Sequence, residues 1–257
     1  MKVSGVDYAG AVKKYMDGAG TRGIVVGDLG DRRTWWNVNG HVLMPIASVA
    51  KMALVWVAMR EHADSTITIK SADLAPTRYA SVGQAWPGRL TIPELCALSI
   101  MTSDNPTANY LMGLVGGPHA LTERLQARGV EGIEIASDFQ DSTFSSSAYD
   151  NKATPLAIAN FFRRVFEGSG SGADSWLWSW LLNNVRNTRI PALLPDEVEV
   201  AHKTGTLLGV TNDIGAVRVG ETWMILVLMV ANHPPDLDVG MEQALLSQQL
   251  FESYRLA

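Results

Sequence analysis

The chain has a single cysteine, Cys96, so no disulfide can close within it. Cys96 lies in the apolar run Leu95-Cys96-Ala97-Leu98 and reads as a small core residue. Basic blocks are also missing. Against 21 lysines and arginines stand 26 aspartates and glutamates, giving a net charge of −5 with histidine neutral. That argues against nucleic acid as a partner, because phosphate binding needs clustered Lys and Arg. No His or Cys group has metal-ligand spacing, so neither a metal nor another cofactor is expected. The apolar run Trp223 to Ala231 is too short to span a bilayer and reads as a buried strand. The opening MKVSGVDYAG holds no apolar stretch of signal-peptide length. The expected compartment is therefore the cytoplasm, or the periplasm or exterior if a leader has been removed. Repeats and low-complexity linkers are absent, and 257 residues suffice for one sizeable core or two subdomains sharing one.

What is present is strands bracketing a helical middle. A helix is expected near Tyr8 to Met16, then short strands at Gly23 to Val26 and Thr34 to Val38. Helices are expected at Ser48 to Glu61 and at Thr91 to Met101, where Thr91 is an N-cap with Pro93 and Glu94 behind it. Pro106 at a first helical position opens another helix to Val115; Gly116-Gly117-Pro118 breaks it, and Pro118 to Arg128 resumes. Gly129 to Asn151 reads as an irregular loop rich in Ser and Asp. Helices follow from Thr154-Pro155 to Glu167 and from Ala173 to Asn187. Strands return at Val198 to His202, Asp213 to Val219 and Trp223 to Ala231, and a helix spans about Met241 to Tyr254. The fold class is α+β: an antiparallel sheet built from the first and last strands, flanked on one face by the terminal helices, plus an all-helical part. The expected division is one domain over 1–257, with an α/β subdomain at about 1–42 and 190–257 and a helical subdomain at about 43–189. A site is expected in the cleft between them.

Three short motifs occur in order: Ser48-Val49-Ala50-Lys51, Ser103-Asp104-Asn105 and Lys203-Thr204-Gly205. The first alone is weak, since S-x-x-K arises by chance on the order of once in such a chain. Its setting raises it. Met52 to Met59 is apolar on nearly every face, so the helix is buried, and lysine is rarely fully buried without a partner or a task. Ser48 and Lys51 share one helical face. A partly desolvated Lys51 has a lowered pKa and can take the Ser48 proton, while the helix N-terminus supports a developing oxyanion. The ordinary alternative is an N-cap serine and a snorkelling lysine. Ser103-Asp104-Asn105 reads either as helix-start chemistry before Pro106 or as a second hydroxyl with an amide-holding Asn105. Lys203-Thr204-Gly205, at the end of a strand, reads as an edge lysine with a turn glycine, or as a cation for a substrate carboxylate beside a close approach. His202 points to the face opposite Lys203 and reads as structural. Trp176, Trp178 and Trp180 cannot share one helical face, so some should be exposed or lie at a contact.

Together the motifs resemble the signature set of class A β-lactamases and penicillin-binding proteins. Asn109, Gly116-Gly117-Pro118, Thr154-Pro155 and Thr211-Asn212-Asp213 extend the likeness over nearly the whole chain. The resemblance implies that Ser48 is the acylated nucleophile, Lys51 its base or relay, and Ser103 and Lys203 the rest of the proton and charge network. It implies that Asn105, Thr204, Gly205 and Thr206 bind substrate, with the Ser48 and Thr206 N–H groups as oxyanion hole.

The chain departs from the family in the omega loop. There the family carries a Glu, with an Asn four residues on, holding the water that breaks the acyl-enzyme. The matching segment, Ala136 to Thr143, has neither at that spacing. Asp138 and Asp141 are the carboxylates near the expected place, each readable as a deacylation base or as loop solvation. The loop also lacks the family's Arg–Asp clasp, for which Lys152 beside Asp150 is a poor substitute. Arg218 has no assignable carboxylate role. The expected function is thus a serine hydrolase acting on a β-lactam or related small amide or ester, with slow deacylation. Alternatives are a biosynthetic acyltransferase, esterase or D,D-peptidase on the same scaffold, and a non-catalytic binder that becomes acylated. Oligomeric state is left open.

Overall fold

Alternation along the strands sets the layers of the molecule. Strand β1 (Thr21–Asp28) carries Ile24 and Val26 to one side and Val25 to the other. It is the fourth strand of a five-stranded antiparallel sheet, beside β2 (Trp36–Val38). Strands β3 (Val200–Leu207), β4 (Val210–Val219) and β5 (Thr222–Ala231) complete it in the order β3-β4-β5-β1-β2. This computed structural model describes residues 2–3, 6–74, 82–139 and 151–256.

Helices α1 (Tyr8–Met16) and α8 (Val239–Arg255) cover one face of the sheet. There Val12, Tyr15, Ile24, Val26, Leu226 and Leu250 form one core. The opposite face carries Val25, Ile214, Val227 and Met229 into a second, larger core shared with the middle helices. These are α2 (Ala50–His62), α3 (Ile92–Met101), α4 (Asn105–Leu114), α5 (Gly117–Ala127), α6 (Pro155–Glu167) and α7 (Gly172–Leu182). Helix α2 is the axis of this layer: every residue from Ala50 to Met59 is buried. Each fully buried Leu, Val or Met in it contributes about 1.5–3 kcal/mol. No helix among the described residues is long and apolar enough to cross a membrane.

Local chemistry explains the helix starts. Thr91 and Glu94 form a reciprocal capping box at α3, and Thr154 caps α6 ahead of Pro155. At α4 the cap is Asp104, whose carboxylate accepts from Thr107 N–H, so Asn105 and not Pro106 opens the helix. Other boundaries differ for tertiary reasons. Helix α7 stops at Leu182 and does not reach Asn187, because Asn184 donates to the carbonyls of Ile100 and His202. Strand β3 begins at Val200 and runs through Lys203-Thr204-Gly205 to Leu207, so this motif lies inside a strand. The cause is a tight hairpin: Leu207 pairs with Val210 across Leu208-Gly209, with Gly209 at φ +70°. In α7, Trp176 is 55% exposed and stacks on Trp180, while Trp178 packs on Phe162, Phe166 and Trp223. Cys96 is buried, and burial pushes its thiol pKa up.

Candidate active site

Ser48 sits in a short 3₁₀ turn, Ala47–Val49, that runs straight into α2. Its neighbours Ala47 and Val49 are buried, whereas Ser48 is partly exposed. Ala47 is held at φ +50°, a left-handed conformation that costs a non-glycine residue about 1–2 kcal/mol. Tertiary bonds hold the segment there. Asn212 donates to Pro45 O at 2.9 Å and accepts from Val230 N–H, and Ile46 N–H donates to Asn151 O at 2.8 Å. Ser103 is also left-handed, at φ +62°. Strain of this kind persists where surrounding structure over-determines it, and it concentrates at functional sites.

Lys51 is 0% exposed. Its Nζ donates to Ser103 O and Asn105 Oδ1, both at 2.6 Å, and stands 3.4 Å from Ser103 Oγ. Lys203, also 0% exposed, donates to Ser103 Oγ at 3.0 Å and to Thr204 O at 2.9 Å. Ser103 Oγ therefore lies between two buried amines. Burial, followed by the charge of Lys203, lowers the Lys51 pKa well below the ordinary lysine value, with Asp104 opposing. Burial brings Lys203 down to about 7, with Asp213 opposing. Asp104 itself is engaged: its two oxygens accept from Gly83 N–H at 3.2 Å and Thr107 N–H at 3.0 Å.

Gly205 brings the edge strand β3 onto the Ser48 turn. A Cβ there would meet Ile46 O at 2.4 Å and Val49 Cγ2 at 3.0 Å. Thr206 is exposed beside it, and its Oγ1 accepts from the Arg189 guanidinium at 2.5 Å. Arg189 is buried and also donates to the carbonyls of Gly205 and Asn212. His202 faces away from Lys203: Nδ1 is 3.0 Å from Asp213 Oδ1 and Nε2 is 3.0 Å from Asn187 Oδ1. Asp213 also accepts from Ile190 N–H at 3.0 Å, which ties the Arg189 segment to the sheet.

Hydrogen bonds thus join Lys51, Ser103, Asn105, Lys203 and Thr204 in one cluster, and Gly205 sets the strand that carries Thr204 and Thr206 against the Ser48 turn. Asp138 is exposed on its loop, and the buried place beside it is filled by Phe139, whose ring centroid is 4.8 Å from Lys51 Nζ. Asn109 grips the Phe139 backbone on both sides: Nδ2 donates to Phe139 O at 3.0 Å and Oδ1 accepts from Phe139 N–H at 2.8 Å. Asp141 and Asp150 lie outside the described residues. Arg218 pairs with Glu199 on an exposed surface. The arginine beside Thr206 is Arg189, which sequence reasoning missed because it lies in an irregular segment with no local pattern. Phe139 was missed too; the available signal was a large apolar residue in a Ser- and Asp-rich loop, which must be covered by something.

Comparison with known proteins agrees with this geometry. Residues 8–252 match a sequence model described as the "Beta-lactamase enzyme family". The chain is 25% identical over 249 residues to a β-lactamase of Bacteroides uniformis, covering 88% of this chain and 84% of that one. It is 29% identical over 186 residues to β-lactamase CARB-3 of Pseudomonas aeruginosa, covering 66% and 62%. Among solved structures, TLA-1 extended-spectrum β-lactamase superposes with a TM-score of 0.84 at 21% identity, over 96% of this chain and 98% of that one. An ancestral class A β-lactamase gives 0.84 at 25% identity, over 96% and 100%. With its fold, its motif set and the matched length all in agreement, the chain belongs to the beta-lactamase enzyme family, as a class A β-lactamase-like serine hydrolase.

Proposed function

We propose that the protein forms an acyl-enzyme on Ser48 with a β-lactam or a related small amide or ester, and releases the acyl group slowly. The observation that carries this reading is the Lys51 amine: fully buried, one helical turn from the partly exposed Ser48, and linked through Ser103 Oγ to Lys203. In its neutral form Lys51 keeps two N–H bonds, to Ser103 O and Asn105 Oδ1, and has a lone pair for the Ser48 proton. Ser48 Oγ then attacks the carbonyl. β3 is the outer strand of its sheet, so alternate backbone groups along it face away from β4. That supports the Thr206 N–H, with the Ser48 N–H, as donors to the oxyanion. Ser103 Oγ returns a proton to the leaving nitrogen and is replenished from the paired amines. Asn105 is suited to hold a substrate amide, and Thr204, Thr206, Lys203 and Arg189 to hold a carboxylate.

Release needs another base. Asp104, the carboxylate acting on Lys51, already caps α4, and Phe139 covers the amine. The same observation favours a second reading, transfer of the acyl group to an amine or alcohol. Rapid mixing with a chromogenic cephalosporin, followed by intact mass and peptide mapping, tests both. A burst equal to the enzyme concentration is expected, then slow turnover, with the adduct on Ser48 and none in Ser48→Ala. Added amine or alcohol should speed release if transfer is the role. An adduct that survives Ser48→Ala rejects the nucleophile; fast turnover without a burst rejects slow release.

A further inference from the structure

Phe139 is 6% exposed although it belongs to a loop, and its ring lies against the one buried amine next to Ser48 in the chain. Its position is built. Asn109, on α4, clamps its backbone through two hydrogen bonds, as a strand neighbour would. Asn151 Oδ1 holds the preceding stretch by accepting from Ala136 N–H at 2.9 Å and Ser137 N–H at 3.1 Å. The same Asn151 accepts from Ile46 N–H through its carbonyl, so the loop and the nucleophile's turn share one anchor. The Lys51 amine is then enclosed by Ser103 O, Ser103 Oγ and Asn105 Oδ1 on its polar side and by the phenyl ring on another.

Resting on the acyl-enzyme reading above, we propose that Phe139 is a positioning residue that makes Lys51 a one-way base: open to the Ser48 proton, closed to a hydrolytic water on the ring side. Hydrolysis of the Ser48 ester requires water to form a new C–O bond while a base takes its proton. The C–Oγ bond then breaks, and that proton ends on Oγ. A water serving as nucleophile has to lie within about 3 Å of the base, and the ring occupies that space. The acyl group therefore persists until a nucleophile arrives from the exposed side of Ser48. Burial is the largest reason for the lowered Lys51 pKa, and a ring in place of solvent contributes to it. The ring face by itself favours the ammonium, and burial opposes it.

The test is Phe139→Ala, with Phe139→Gln as a second opening variant and Phe139→Leu as one that keeps an apolar cap. Acyl-enzyme lifetime is followed by intact mass after one β-lactam pulse, and acylation is measured across pH. Opening the ring side should shorten the lifetime by on the order of 10²-fold, the low end for a positioned proton transfer, with Leu between wild type and Ala. The rising limb of acylation should move to higher pH in Ala and Gln, because a rehydrated Lys51 regains part of its ordinary basicity. A residue that merely packs would leave that limb in place. If the wild type forms no Ser48 adduct, the acyl-enzyme reading fails and takes this inference with it. If the adduct forms and its lifetime is unchanged in whichever opening variant folds, the inference alone is overturned.

Discussion

In the proposed acyl-enzyme mechanism, two lysines with lowered pKa values have opposite duties. With Lys51 acting uncharged, acylation should rise with pH through its lowered pKa. Lys203 is proposed to act charged when the substrate carries a carboxylate, and burial brings its pKa down to about 7. Its contribution is complete below that value and is lost as pH climbs through it. The second-order rate of acylation by a carboxylate-bearing β-lactam should therefore fall on the alkaline side of about pH 7. An uncharged ester of similar reactivity should keep rising. Rates for the two reagents over pH 5 to 10 decide it; a fall shared by both would mean that Lys203 does not read the carboxylate. Burial also lowers the pKa of the neighbouring Arg189, but a guanidinium starts from a far higher value than an amine, so some selectivity for anionic substrates should survive above the fall.

Strand β3 and the Ser48 turn meet because Gly205 has no side chain. A methyl group placed 2.4 Å from Ile46 O cannot be accommodated without moving one backbone or the other. Gly205→Ala should open this approach and displace Thr206 from the Ser48 turn. A shift of about 1 Å at a reacting centre costs on the order of 10²-fold, while overpacking destabilises by about 1–3 kcal/mol. Single-turnover acylation and thermal unfolding measured together separate the two effects. Wild-type acylation in that variant would show that the contact does not set the site. The site's other elements are joined by single side chains. Asn212 ties β4 to Pro45, and Asn184 and Arg186 tie the end of α7 to the ends of α3 and β3.

Across the whole molecule, the sheet belongs to both cores at once. Strand β5 sends Leu226 and Leu228 toward α1 and α8, and Val227 and Met229 toward the middle helices. The α/β and helical parts are accordingly proposed as subdomains of one cooperative unit. Neither can be removed without exposing a face of β5. Calorimetry should give one unfolding transition with equal calorimetric and van't Hoff enthalpies. Two resolved transitions would show that the helical part folds separately.

Much of this was legible in the chain itself. Caps at Thr91 and Thr154, the strand periodicity and the three motifs are local signals. Each follows from what a backbone terminus, a pleat or a buried lysine requires within a few residues. The fold class and the family likeness followed from these. What sequence could not decide were contacts between distant segments. Arg189 matters because β3 and β4 turn their carbonyls toward it. Helix α7 ends early because Asn184 finds carbonyl partners on α3 and β3. The identity of the group over Lys51 is the clearest case. Spacing drew attention to Asp138 and Asp141, but Asn109 clamps the backbone at Phe139 and leaves Asp138 exposed. A sequence determines which groups are available and how each local segment bends. Which of them meets the reacting atoms is decided only when packing brings the segments together.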